Sequence, residues 1–148
     1  MRTIASSLLI AVLALLLVSC DESDTDDPKQ VVISLFGAME KNDQAALTHI
    51  LDLAELMKNT ETDYAIQTDN PRMWTSPQQI LDDLTGEGAT KKAWFRLQRI
   101  VNKAKIMGET ATVKVTFVDK EASKGYTPTF GLHRVHGTWK IYSFQLYK

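Results

Sequence analysis

The chain has 148 residues, with 17 Lys and Arg against 18 Asp and Glu and a formal net charge of −1. That near balance, without a basic stripe, argues against a nucleic-acid partner. A single cysteine, Cys20, rules out an internal disulfide framework and any cysteine-based zinc site.

The N-terminus has three parts. Arg2 is a lone positive charge, residues 8–18 are uncharged and apolar, and small Ser19 precedes Cys20. A short positive region, an apolar run and a small-residue site describe a secretory signal peptide. A spanning helix needs about 20 apolar residues, and the strictly apolar core here is about half that. Leu17-Val18-Ser19-Cys20 resembles the lipobox of bacterial lipoproteins. The resemblance implies cleavage before Cys20, a diacylglycerol thioether on its sulfur, and usually a third, amide-linked chain. Each buried CH₂ contributes about 0.8 kcal/mol and two chains suffice for stable anchoring, so lipid alone would hold the protein on a membrane. Lipidation would also leave the domain without a thiol. Asp21 resembles the signal that retains lipoproteins in the inner membrane of enterobacteria-like envelopes. The implied location is the cell envelope, lipid-anchored and facing the periplasm, with the inner membrane favoured over the outer. Residues 1–19 are thus expected to be a signal peptide. Residues 20–27 form the lipidated cysteine and an acidic tether, and residues 28–148 a single domain. The acidic run from Asp21 to Asp27 has no large apolar residue to bury and should stay solvated. Fully extended, seven residues reach roughly 25 Å.

Helices open the domain. Asp27 can cap, Pro28 suits the first helical position, and Gln30 stands three after the cap. Val31, Val32, Leu35, Phe36 and Met39 then share one helical face. Lys41-Asn42-Asp43 breaks the pattern. Asn42 or Asp43 can cap a second helix running through Ala46, Leu47, Ile50, Leu51, Ala54 and Met57. Turn residues fill 59–71. Ser76-Pro77-Gln78-Gln79 repeats the cap logic, Ile80, Leu81 and Leu84 form the apolar face, and Gly86 and Gly88 stop the helix. Residues 90–97 add a turn or two carrying Trp94 and Phe95.

Strands follow. Residues 99–107 read as a less regular strand. Residues 110–119 alternate cleanly, with Ala111, Val113, Val115 and Phe117 on one face. Gly108-Glu109 between them fits a tight hairpin turn. Residues 120–126 read as a polar loop. Residues 127–134 and 138–147 form a second hairpin closed near His136-Gly137. The last strand carries Trp139, Ile141, Tyr142, Phe144 and Leu146, which predicts cover on both faces.

Helices first and a meander afterwards give an α+β class, with helices packed on one face of a curved antiparallel sheet of about four strands. Here a resemblance enters. The first helix, the Lys-Asn-Asp break and the Ala-Ala-Leu of the second helix look like the opening of nuclear transport factor 2-like domains. Glu109-Thr110-Ala111-Thr112-Val113 looks like their entry into a central strand. His136-Gly137-Thr138-Trp139-Lys140-Ile141 resembles the final strand of envelope members, including small lipoproteins. The resemblance covers about residues 28–147 and implies a cone enclosing a pocket; cystatin-like folds are the nearest competitor.

Chemistry is sparse. Pocket acid–base enzymes of that fold use an Asp or His with a Tyr, and a buried carboxyl of raised pKa can move protons. The candidates are His49, Asp52, Asp63, Tyr64 and His133. His49 and Asp52, three apart, are expected on one helical side, and His133 on the strand with Gly131 and Val135. No metal motif occurs among the histidines, so neither metal nor cofactor is expected, and no catalytic residue is assigned. Trp74, Trp94 and Trp139 are either core or the wall of a pocket or interface; His133 and Tyr142 join them as pocket or interface candidates. The expected function is a non-enzymatic lipoprotein domain that binds a small hydrophobic ligand or an envelope protein. The alternatives are a small acid–base enzyme and a homodimerisation module.

Overall fold

The structure, a computed structural model, describes residues 26–63 and 74–145. The leader, Cys20, Asp21, Tyr64, Leu146 and Tyr147 lie outside the described residues, as does the side chain of Asp63.

Among the described residues, five helices and five strands make an α+β fold: α1 (Pro28–Glu40), α2 (Gln44–Ile50), α3 (Leu53–Asp63), α4 (Pro77–Asp83), α5 (Ala89–Arg96), β1 (Gln98–Met107), β2 (Thr110–Asp119), β3 (Lys124–Tyr126), β4 (Thr129–Val135) and β5 (Thr138–Ser143). Short polar side chains set the helix starts by taking backbone N–H groups that have no partner within the helix. Asp27 accepts the Lys29 N–H at 2.9 Å. Asp43 accepts that of Ala46 at 2.9 Å. Ser76 accepts that of Gln79 at 3.3 Å, while Gln79 Oε1 reaches back to Thr75 N at 2.7 Å. Between α1 and α2, Asn42 adopts a left-handed φ of 56°, and Asp43 N donates to Ala38 O.

The expected long second helix is two helices. Its chain breaks at Leu51, which forms a parallel bridge with Ile141, and Asp52 N donates to Ile141 O at 2.8 Å. Asp52 then restarts the helix by accepting the Glu55 N–H at 3.1 Å. A backbone that leaves the helix to pair with a strand edge overrides local apolar spacing. Residues 59–63, read as turn, instead finish α3.

The sheet is open and antiparallel, in the order β1-β2-β4-β5, with β3 also on β2. The four-strand expectation therefore gains one member, β3, from within the predicted polar loop. Its three exposed residues pair with Phe117, Val118 and Asp119. Two tight turns are as the residues suggest: Gly108 has φ +61°. His136 and Gly137 are both left-handed, at 50° and 79°, the signature of a two-residue turn whose twist matches the strands. In β1 the ladder shifts between Val101 and Ala104, where the Asn102 side chain donates to Lys114 O at 3.0 Å.

Helices cover one sheet face. Val32, Leu35 and Met39 of α1, Leu47 of α2 and Leu56 of α3 are fully buried with Val113, Val115, Phe117, Phe130, Leu132 and Ile141. Trp94 of α5 occupies the middle, its ring centre 5.3 Å from Phe117, 5.7 Å from Phe130 and 5.3 Å from Phe144. Phe36 closes on it at 5.9 Å. Of β5, Trp139, Ile141 and Ser143 are buried under the helices, whereas Lys140 and Tyr142 between them are half-exposed, so the helices cover one of its faces.

Candidate functional site

The sheet face away from the helices carries one compact polar cluster. His133 of β4 stands opposite Lys140 of β5. The β4–β5 register slips between Gly131 and Leu132, so Gly131 faces Ser143 while Leu132 faces Ile141. Tyr142 is thus the surplus residue of a β-bulge, a device that re-aims a side chain. Its ring lies against the His133 imidazole, centres 4.7 Å apart and tilted by 36°. Asp52, held at the β5 edge by its own backbone bond to Ile141, completes the cluster: its Oδ2 is 2.8 Å from His133 Nε2. The two side chains are only 20% and 28% exposed, respectively.

Neighbouring groups tie the cluster to the helices. Lys140 Nζ donates to His49 O at 2.9 Å, at the C-terminal end of α2, where free carbonyls attract a cation. Asn59 Nδ2 donates to Tyr142 O at 2.9 Å. β4 and β5 therefore grip the α2–α3 break from two sides.

The structure separates one expected pair and makes another. His49 is exposed on α2, and the break at Leu51 removes Asp52 from its helical side. Asp52 instead meets His133, 81 residues on. The signal for this was the Asp52-Leu53-Ala54-Glu55 spacing, a helix-start pattern inside what looked like a continuous helix.

A carboxylate that fixes an imidazole is half of an acid–base device. Completing it requires a nucleophile or a substrate space in reach. Tyr142 stacks on the ring and donates nothing to it in the described geometry. A cleft of about 640 Å³ does exist, but it is lined by Trp74, Gln79, Asp82, Asp83, Glu87, Gly88, Ala89 and Lys92. Asp52, His133 and Tyr142 are not among these. Asp83 organises that cleft, accepting from Trp74 Nε1 at 3.1 Å and Thr90 N at 3.1 Å. Lys92 pairs with Glu87 at its rim, and that pairing holds the Glu87 carboxyl below its ordinary range.

The tryptophans fall in different places. Trp94 and Trp139 are core residues, each 1% exposed: aromatic rings surround Trp94, and the Arg134 guanidinium lies 4.5 Å over Trp139. Trp74 is buried but borders the α4–α5 cleft. At the open end of the aromatic core, Arg99 lies 4.0 Å over Phe95 and donates to Trp94 O at 2.8 Å. Burial pulls its pKa down, against a weaker upward pull from Glu40. Tyr126 covers Phe117, ring centres 5.1 Å apart. Burial raises its hydroxyl above the ordinary tyrosine value, partly offset by Arg96 and the Trp94 indole.

Among the described residues, no three His, Cys, Asp or Glu side chains gather to hold a metal, and no helix is long and apolar enough to cross a membrane. No protein-family model matches this chain, and no match is found among curated proteins or solved structures.

Proposed function

We propose that this protein is a lipid-anchored lipoprotein of a bacterial envelope whose domain works through its surface, as a non-catalytic binding module. The observation that carries the reading is the filled interior. Trp94 sits among Phe36, Phe117, Phe130 and Phe144 at ring separations of 5.3–5.9 Å. A ligand of ordinary size needs a cavity of about 300 Å³ or more, and such close ring packing leaves none there. Around Trp94 this favours an envelope protein as partner over a small hydrophobic ligand, for which the α4–α5 cleft of about 640 Å³ beside Trp74 is the space on offer. The half-exposed face bearing Asp52, His133, Lys140 and Tyr142 is the surface proposed to meet it. A homodimer through that face is the same reading with a second copy as partner.

The acid–base enzyme is the second reading, and the Asp52–His133 pair favours it.

Two measurements test the proposal. Radiolabelled palmitate should enter the wild type and not Cys20→Ser, and the variant should leave the membrane fraction; equal labelling ends the lipoprotein reading. A photocrosslinking residue at Tyr142 should give one discrete adduct in intact cells, and none when placed at exposed Lys120. Adducts of equal yield at both positions end the assignment of the face.

A further inference from the structure

The tether that would join the domain to its lipid is short, and the structure fixes where it meets the fold. Five residues, 21–25, separate Cys20 from Asp26, a reach of roughly 16–18 Å when fully extended. Asp26 Oδ1 is 3.1 Å from Arg134 Nη1. Arg134 in turn donates from its side chain to Gly137 O at 3.2 Å and from its backbone to Glu109 O at 3.0 Å. The start of the domain, the β1–β2 turn and the β4–β5 turn therefore share one end of the sheet.

That end is apolar at its tip. Ile106 and Met107 are 55% and 51% exposed, the two highest values among the large exposed apolar side chains described. They are adjacent, lead into the Gly108 turn, and follow exposed Lys105. The loop at the other end of β2 differs: Lys120, Glu121 and Lys124 are exposed there, with no large apolar residue between them. Ile100 and Tyr126 stand toward that far end and are not part of this surface.

We infer that the β1–β2 hairpin end, led by Ile106 and Met107, rests in the interface of the membrane to which the chain is anchored. The inference rests on the lipid-anchor reading. A tether of that reach holds this end against the bilayer, where apolar side chains gain burial and a flanking lysine meets headgroups. The opposite end, where Lys120, Glu121 and Lys124 stand, then points away from the membrane, while His133, in register with Thr110 and through it with Met107, lies close to the bilayer, where an envelope protein would meet it.

The test uses the full lipidated chain. Its Cys20 sulfur is blocked by lipid, so Met107→Cys supplies one reactive thiol for an environment-sensitive nitrobenzoxadiazole label, and Lys120→Cys supplies the control. On vesicles of phosphatidylethanolamine and phosphatidylglycerol containing nitroxide lipid, the label at 107 should be blue-shifted and quenched several-fold more than at 120. Equal quenching at both positions, or none at 107 in a chain still held on vesicles, overturns the orientation alone. Quenching at 107 that grows with protein density and not with nitroxide content assigns the tip to a second copy and overturns it as well. A wild-type chain that accepts the label at Cys20 and stays off vesicles removes the anchor, and the orientation with it.

Discussion

One carboxylate, that of Asp52, serves two distant parts of the fold. Its Oδ1 takes the Glu55 N–H at 3.1 Å and starts α3; its Oδ2 meets His133 Nε2 at 2.8 Å on β4. Asp52→Ala should lose both, at a cost of about 1–3 kcal/mol. Asp52→Asn keeps a capping oxygen and should cost less. Urea unfolding of Asp52→Asn, His133→Ala and the double variant should give a coupling of about 0.5–1.5 kcal/mol. Additive losses would mean that the pair contributes nothing.

Trp94 should be the least replaceable side chain. Truncating a large buried aromatic costs about 3–5 kcal/mol, against a total stability of about 5–15 kcal/mol for a domain. Trp94→Ala is expected to lower the melting temperature by more than 10 °C or abolish cooperative unfolding. Trp94→Phe keeps an aromatic ring among Phe36, Phe117, Phe130 and Phe144 and should be the milder change. Differential scanning calorimetry of both decides.

Gly88 is fixed by steric contact. A Cβ there would lie 2.1 Å from Asp83 O, while Asp83 caps the start of α5 through Thr90 N. Gly88→Ala should therefore force the α4–α5 connection apart and destabilise by about 1–3 kcal/mol. Gly108→Ala, with open space around its Cβ but φ +61°, should cost about 1 kcal/mol. A reversed order in chemical denaturation would refute this ranking.

Tyr126 sets an alkaline limit. Burial raises its pKa above the ordinary value of 10.0, so the folded state holds this proton where the unfolded chain releases it. Stability from this group is complete below pH 10, and falls as pH rises from there through the folded pKa. Tyr126→Phe should flatten the stability profile above pH 10 and leave it unchanged at pH 7. An unchanged alkaline slope would show that Tyr126 does not titrate with folding.

Much of this architecture was legible locally. Asp27-Pro28 and Ser76-Pro77 mark helix starts through bonds that reach only two or three residues. His136-Gly137 marks a turn through φ alone. The break at Leu51 was masked, because Leu47, Ile50, Leu51 and Ala54 keep a helical period that outweighs the Asp52-to-Glu55 start pattern, and pairing with Ile141 decides otherwise. β3 was hidden because it is only three exposed residues long and Lys124-Gly125-Tyr126 shows no apolar alternation. The Asp52–His133 pair joins residues whose proximity no local period records, and Tyr142 reaches it only because the β4–β5 ladder slips by one residue.

The bridge between Leu51 and Ile141 has a kinetic side. The connection between α2 and α3 takes its shape from a strand synthesised some ninety residues later, so it acquires its partner only when the C-terminal strand arrives. Closing so long a loop is an entropic cost met before any contact rewards it. The helical layer therefore reaches its final form late, once β5 has been made and has docked.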